Sequence, residues 1–349
     1  MPAVHGGARV AGLVIGVLAD AVFGDPRWGH PVAAFGSVAA TLERRLWRDS
    51  VPAGAAYTAL LTGGAIGLGV LAERAARSRG RSPGRAAGRL DRLRSAERGR
   101  GPLPAPARPG RTEAVLVAAG TWAVLGGTSL IREGEALGRS VEAGDLAAAR
   151  DRVPHLCARD PALLDAAGMA RAGVESLAEN TSDAVVAPLF WGAVAGVPGL
   201  LGYRAVNTLD AMVGYRSVRY ARFGRVAARV DDVVNLVPAR LTAALTVLLA
   251  PFIGGRPADA LRAWRRDAPW HPSPNAGPVE ATAAGALGLR LGGRTQYAYG
   301  VEDRPALGDG RAPAAADLRR AARLSRLLGW AALAVVLPLA ARRRTCVRA

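Results

Sequence analysis

Long apolar stretches separated by charged ones organise this chain. A bilayer core needs about twenty apolar residues of helix, and residues 52–72, 113–131 and 184–203 meet that measure. Three stretches are weaker: 10–23 is short and carries Asp20, 236–254 carries Arg240, and 327–341 is short but nearly pure apolar. Pro188, Gly192, Gly196 and Pro198 break the block 184–203, which predicts a re-entrant or protein-buried segment there. The connecting stretch 161–183 has apolar residues at helical spacing and no alternating β-branched run. The pattern predicts an all-α, polytopic integral membrane protein with about five to six hydrophobic segments and helical connections, a single domain over residues 1–349.

Composition sharpens this picture. The formal charge of +18 comes entirely from arginine, since the chain has no lysine, so a lysine Schiff base and a P-loop lysine are both excluded. The arginines lie mostly between apolar blocks and are not interleaved with aromatic residues that could stack on bases, so no nucleic acid is expected as a partner; lipid headgroups are. The two cysteines, Cys157 and Cys346, are far apart and suggest neither a disulfide framework nor a zinc site.

The first apolar block is preceded only by Arg9 and followed by Gly24, Asp25 and Pro26, which argues for a retained helix instead of a cleaved leader. Residues 77–111, rich in Arg, Gly, Pro and Ser, are expected to form a disordered connection on the cytoplasmic side, together with Arg342, Arg343 and Arg344. Strict alternation of six spans then puts connections 24–51, 132–183 and 255–326 on the face opposite 204–235. That would split the polar motifs between two compartments, so at least one block should not span.

Four motifs could carry chemistry. In GDPRWGHPV (24–32) two X-Pro steps hold Asp25 and His30 at the end of the first block; a turn explains this too, although an interfacial histidine can move protons. In RAGVESLAENTSDAVVAPLFW (171–191), Arg171, Glu175, Glu179 and Asp183 recur every fourth residue, with Asn180 beside them. The bland account is a solvated face with an Arg171–Glu175 pair; yet three carboxylates leading into a membrane block are costly unless paired or metal-bound, and oxygen ligands suit Mg²⁺.

The third motif runs from Tyr203 to Arg240, with Asn207 and Asp210 on one helical face, a cationic run Arg216, Arg219, Arg222 and Arg225, and the pair Asp231, Asp232. It reads equally as an interfacial helix or as phosphate recognition by arginine with carboxylate-held metal. The fourth, HPSPNAGPVEA (271–281), is a proline-stiffened loop presenting His271, Ser273, Asn275 and Glu280, with Trp264 and Trp270 as interfacial anchors.

Together, in this order, these motifs resemble the adenosylcobinamide-phosphate synthase family, CobD or CbiB, over residues 10–52 and 155–305. The resemblance implies ATP-dependent amide formation between the f-propionate of adenosylcobyric acid and (R)-1-amino-2-propanol or its O-phosphate. The implied setting is the cell membrane, with the active site facing the cytoplasm and other cobalamin-assembly membrane enzymes as potential partners. ATP and Mg²⁺ are the implied cofactors, the corrinoid being substrate. The matching positions are given provisional roles: Glu175, Glu179, Asn180, His271 and His30 in catalysis; Asp25, Asn207, Asp210, Arg219 and Asn275 in holding substrate or phosphate; Asp183, Asp231 and Asp232 at a metal. With no P-loop, any nucleotide site must use carboxylate-bound metal, arginine and backbone amides. A corrinoid transporter or membrane scaffold is the competing reading, since intramembrane charges and broken helices also mark substrate pathways; no internal repeat supports it.

Overall fold

The computed structural model describes residues 3–26, 29–79, 110–215, 217–297 and 300–342. In chain order the first helices are α1 (Ala3–Phe23), α2 (Pro31–Leu46), α3 (Val51–Arg79), α4 (Arg111–Val124), α5 (Gly127–Glu142) and α6 (Leu146–Leu156). Then come α7 (Ala166–Thr181), a π turn over Ser182–Val186, α8 (Ala187–Ala195), α9 (Val197–Val213) and α10 (Arg225–Leu249). The last are α11 (Pro257–Asp267), α12 (Ala276–Leu287), the strands β1 (Leu291–Tyr297) and β2 (Gly300–Leu307), and α13 (Ala315–Ala341). Most of the Arg-rich connection 77–111 lies outside the described residues.

Among the described residues, five helical stretches are long and apolar enough to cross a membrane: Gly6–Phe23, Val51–Ser78, Arg111–Glu142, Arg225–Ile253 and Ala315–Ala341. Helix α1, 21 residues and so roughly 31 Å long, is typical. It packs on α4 through two glycines a turn apart. A Cβ at Gly12 would lie 2.5 Å from Val117, and one at Gly16 2.4 Å from Thr121, so only glycine allows this approach, as in membrane helix pairs with small residues every fourth position.

The block 184–203 is not one crossing. It folds into a helical hairpin, α8 and α9, turned at Gly196, whose φ of 69° excludes most side chains. The turn is pinned where the Val197 N–H donates to Glu73 Oε1 at 2.9 Å. The chain therefore returns to the end it came from, and connections that alternation would have separated come together. At that same end Asp183, on the π turn, meets Asn207 of α9, while Asn235 of α10 meets Tyr203.

Prolines shape this region, and each freed carbonyl finds another donor. Pro188 cannot donate to Ala184, whose carbonyl accepts from Gly126 N at 3.3 Å; Pro238 cannot donate to Val234, whose carbonyl accepts from Trp191 Nε1 at 3.0 Å. The π turn beside Pro188 re-aims Asp183 toward α9 and α10.

One departure from the all-α expectation is the antiparallel pair β1–β2, with Thr295 opposite Glu302 and a bulge between Leu291 and Gly293. Its Gly-Gly start carries no alternating apolar pattern. It is held from outside: Arg171 donates to the Gly292 and Arg294 carbonyls at 2.7 and 2.8 Å. The Arg171–Glu175 pair of the bland account is not formed, because the hairpin carbonyls take Arg171 and Arg159 takes Glu175.

Both flanks of the Arg-rich connection lie at the other end. Arg77 at the end of α3 bonds Glu73 at 2.7 Å and Glu113, at the start of α4, at 3.4 Å. Gly6 approaches Ala341 there. The flanks Arg77 and Glu113 and the motif-bearing end therefore lie at opposite ends of the spanning helices, and the two ends cannot both face the cytoplasm.

Candidate active site: a buried carboxylate and arginine centre

Helix α7 supplies the spine of the site because Glu175 and Glu179 fall on one face, as their spacing predicts, and Asp183 follows on the π turn. Glu175, nearly sequestered, is bonded to Arg159 through Oε2 and accepts from Gly292 N through Oε1 at 2.7 Å. Both oxygens are in use, which makes Glu175 a positioning group. Arg159 carried no periodic signal in the sequence, and neither did Arg304 on β2, whose charge also acts on Glu179 and Glu280.

Glu280 enters from α12, a helix buried along its whole length, and is itself 1% exposed. Burial together with Glu179 and Glu175 holds its carboxyl well above the usual range, and Oε1 has no hydrogen-bond partner among the described residues. Glu179 is raised for the same first reason, burial, relieved in part by Arg304.

One turn further, Asp183 meets the acids of α9 and α10. Burial, then Asp231, Glu179 and Asp210, push it well above the carboxylate range. Asn207 Nδ2 donates to Asp183 at 3.4 Å, and Arg204 Nη1 donates to Asn207 Oδ1 at 3.3 Å. Asp231 accepts from Asn235 at 3.0 Å through Oδ2, while Tyr203 donates to Asn235 at 2.9 Å. The other Asp231 oxygen, Oδ1, is buried with no hydrogen-bond partner among the described residues.

Asp210, beyond the apolar block on α9, is pushed up to about 6, first by burial and then by Asp232 and Glu179. A carboxyl raised in the fold favours folding below its unfolded value near 3.8 and loses that contribution as pH rises to about 6. Above that it costs on the order of 3 kcal/mol. Asp210→Asn is expected to melt at a higher temperature than the parent at pH 8, with the gap closing by pH 4; thermal unfolding in detergent at both values checks this.

Beside these acids opens a cleft of about 1280 Å³, roomier than most small-molecule pockets, with Asp232 and His271 in its wall. Neighbours in sequence, Asp231 and Asp232 point about 100° apart on the helix, Asp231 into the acid cluster and Asp232 to the cleft. His271 Nδ1 lies 3.1 Å from Ser273 N and 3.3 Å from Ser273 O, while Nε2 is buried and has no hydrogen-bond partner among the described residues. Burial lowers the imidazole below its ordinary value, so it is neutral at pH 7. Asn275 ties this loop to α10, accepting from Arg240 at 2.9 Å and donating to the Asp232 carbonyl at 2.8 Å.

Three expected site residues fall elsewhere. His30 Nδ1 accepts from Val32 N at 3.2 Å and caps α2, with Nε2 3.9 Å from Asp25. Asp25 contacts Ser129 through its backbone N–H, and its charge reaches the site only by way of Arg204. Arg219 is held by Glu43 at 2.9 Å and stacked over Trp47 at 4.8 Å, on the α2 side. Asn180 lies within the spine but donates to Leu156 O and Ser176 Oγ at 3.3 and 2.8 Å, which anchors α6 to α7.

Among the described residues no three His, Cys, Asp or Glu side chains enclose a metal ion by themselves. Mg²⁺ does not need such a cage: it keeps waters and takes one or two carboxylates plus substrate phosphates. Asp183 and Asp231, whose like charges meet in a buried place where Asp231 Oδ1 lacks a partner, are a donor set of that kind.

The fold and this centre define a multi-pass membrane protein with a buried acid and arginine cluster at one end, open to a large basic cleft. The chain matches the CobD/Cbib protein family over residues 13–325. It is 52% identical over 332 residues to the cobalamin biosynthesis protein CobD of Mycobacterium tuberculosis (strain ATCC 25618 / H37Rv), across 94% of this chain and 96% of that one. It is 41% identical over 325 residues to CobD of Chromobacterium violaceum, across 93% and 95%. To CobD of Geobacter metallireducens it is 39% identical over 302 residues, across 86% and 87%. No solved structure matches. This chain belongs to the CobD/CbiB family of cobalamin biosynthesis proteins.

Proposed function

We propose that the acid and arginine centre joins adenosylcobyric acid to (R)-1-amino-2-propanol or its O-phosphate, forming an amide at the corrin f-propionate. The observation that carries this is the meeting of Asp183, Asp231 and Asp210 beside a cleft large enough for a corrinoid, with a neutral imidazole in the cleft wall. ATP with Mg²⁺, when bound, supplies the phosphoryl group that turns the unreactive carboxylate into an electrophile.

The chain's own residues have distinct tasks in this reading. Asp183 and Asp231 offer oxygen ligands to Mg²⁺, and the arginines of the cleft hold phosphate oxygens. Glu175, fixed by Arg159, keeps α7 and the hairpin in register. His271 takes a proton from the amine in the tautomer that gives up the bond from Ser273 N–H to Nδ1 at 3.1 Å and turns Nδ1–H to the Ser273 carbonyl at 3.3 Å, which leaves Nε2 as the free base. The C–N bond forms as nitrogen attacks and the C–O bond to the phosphate breaks; of the two protons the ammonium sheds, one goes to Nε2 and the other leaves on the phosphate. A neutral His271 suits this, since a charged one could accept nothing.

We place the site end on the cytoplasmic face, where ATP is. Arginine is abundant at both ends, with Arg9, Arg74, Arg77, Arg111 and Arg342 at one and Arg132, Arg139, Arg150 and Arg229 among those at the other, and the sequence of 80–109 carries more; the need for ATP, not the arginine count, carries this placement. The test is direct: purified protein in detergent receives adenosylcobyric acid, either amine, ATP and Mg²⁺, and the corrinoid is weighed by mass spectrometry. A mass gain equal to the amine less water supports a ligase. Corrinoid recovered at unchanged mass from folded protein under every amine and nucleotide condition would favour a transporter or scaffold.

A further inference from the structure

A second groove opens at the motif-bearing end between α1, α5 and α13, with a volume of about 430 Å³ and Val185 of the π turn in its wall. It shares no lining residue with the cleft that holds His271. Two of its walls, α1 and α13, are spanning helices, and Trp330 in its lining is 44% exposed, the setting of an aromatic anchor at a membrane interface. Exposed Leu18 and Ile15 continue apolar surface along α1 away from this end.

Four charged side chains line the groove, and two of them are satisfied by each other: Arg326 bonds Glu135 at 3.0 Å. The other two are not. Asp20 is 7% exposed and half used, since Oδ2 accepts from the Thr128 N–H at 3.1 Å and from its hydroxyl at 3.0 Å, which caps the start of α5. Its Oδ1 is buried with no hydrogen-bond partner among the described residues. Arg132, one turn beyond Thr128, lies over Gly24, where a Cβ would stand 2.8 Å from Nη1. It forms neither an ion pair nor a hydrogen bond with any described residue, although its charge acts on Asp20.

Capping explains one oxygen of Asp20 and leaves the other bare within a spanning helix, where an unmatched carboxylate oxygen is costly. Protonation does not remedy this, because an Oδ1–H would then lack an acceptor. A cationic N–H donor does, and the groove has room for one. Arg132 calls in turn for an anion, and its planar fork suits phosphate. An ammonium and a phosphate joined by a short link meet both needs. In a bilayer that combination is the headgroup of phosphatidylethanolamine, whereas phosphatidylcholine has no N–H to donate and phosphatidylglycerol has no cation.

We infer that this groove binds the headgroup of phosphatidylethanolamine, its ammonium on Asp20 Oδ1 and its phosphate on Arg132, with the acyl chains in the bilayer along α1. The headgroup then rests against Val185, two residues from Asp183, and steadies the π turn that aims this acid.

The test is lipid binding to the full chain in detergent, read by native mass spectrometry with phosphatidylethanolamine, phosphatidylcholine and phosphatidylglycerol of identical acyl chains. The parent should hold phosphatidylethanolamine at least 10-fold more tightly than the other two. Asp20→Asn, which keeps an acceptor for Thr128, should bring it down to the level of phosphatidylcholine, a loss of about 10- to 100-fold, the worth of a charge-assisted bond. Arg132→Gln should weaken both of these lipids by a similar factor, since both carry the phosphate, while Arg139→Gln, on α5 outside the groove, changes neither. Arg132 is exposed, so its variant keeps the fold and decides the matter even where Asp20→Asn does not fold.

Equal retention of the three lipids by the parent, or a parental preference kept in Asp20→Asn or full affinity in Arg132→Gln, would overturn the inference. So would a preference for phosphatidylglycerol lost only in Arg132→Gln, which gives the groove to an anionic lipid. Displacement of the lipid by an equal concentration of free phosphoethanolamine would overturn it too, giving the groove to a soluble ligand.

Discussion

Arg159→Ala is expected to unfold the motif-bearing end, with a loss of about 3–5 kcal/mol, the usual effect of leaving one partner of a buried ion pair behind. Arg159 and Glu175 are 5% and 4% exposed as side chains, and Glu179 and Glu280 lie beside them. Without the guanidinium, three acids share one dry site with Arg304 as the remaining cation, so protonation must replace part of the pairing. A lower melting temperature in detergent, worsening as pH rises, checks this. The double variant Arg159→Ala with Glu175→Gln should recover part of the loss, because it removes the stranded charge. A single variant as stable as the parent would show that Arg159 is not what neutralises this cluster.

His271→Ala has the opposite signature: a folded protein with little turnover. A positioned base contributes about 10²–10⁴-fold, and the imidazole lines the cleft without serving as a packing anchor. Because burial holds His271 below its ordinary 6.5, the acid limb of kcat/KM in the parent should fall below pH 6.5, and the residual activity of the variant should lack it. The melting temperature should barely move. Turnover within a few-fold of the parent, with the acid limb in place, would assign the proton to another group.

Much of this architecture was legible in the residues. Apolar blocks announce themselves because a bilayer imposes a length, and the carboxylate spine of α7 follows from a spacing of four. The block 184–203 misleads for the same reason: twenty apolar residues equal one crossing, and only the left-handed backbone at Gly196 makes them a hairpin. Its broken character was visible in Pro188 and Gly196, its direction was not. With the hairpin in place, motifs that alternation would have put on two faces share one.

Long-range pairing was the hidden part. Arg171 looked matched to Glu175 by helix spacing, yet hairpin carbonyls over a hundred residues away hold it. Nothing local distinguishes Arg159 or Arg132 from the many other arginines, since what makes each of them special is which element faces it. The reverse holds for Arg219 and His30, whose surroundings in the sequence suggested chemistry and whose contacts give them packing and capping. A string of arginines on a helix is sorted by its neighbours: Arg222 meets Asp49 and Arg225 turns into the cleft.

The claim that the buried acids carry amide formation is tested most directly by the mass-spectrometric ligation assay on Glu179→Gln and Asp231→Asn, each compared with the parent at matched melting temperature and matched corrinoid binding. The account requires the amine mass gain in the parent and its loss, by a hundredfold or more, in both variants while the fold and corrinoid affinity persist. Product formation at the parental rate in folded variants would place the reaction outside this centre.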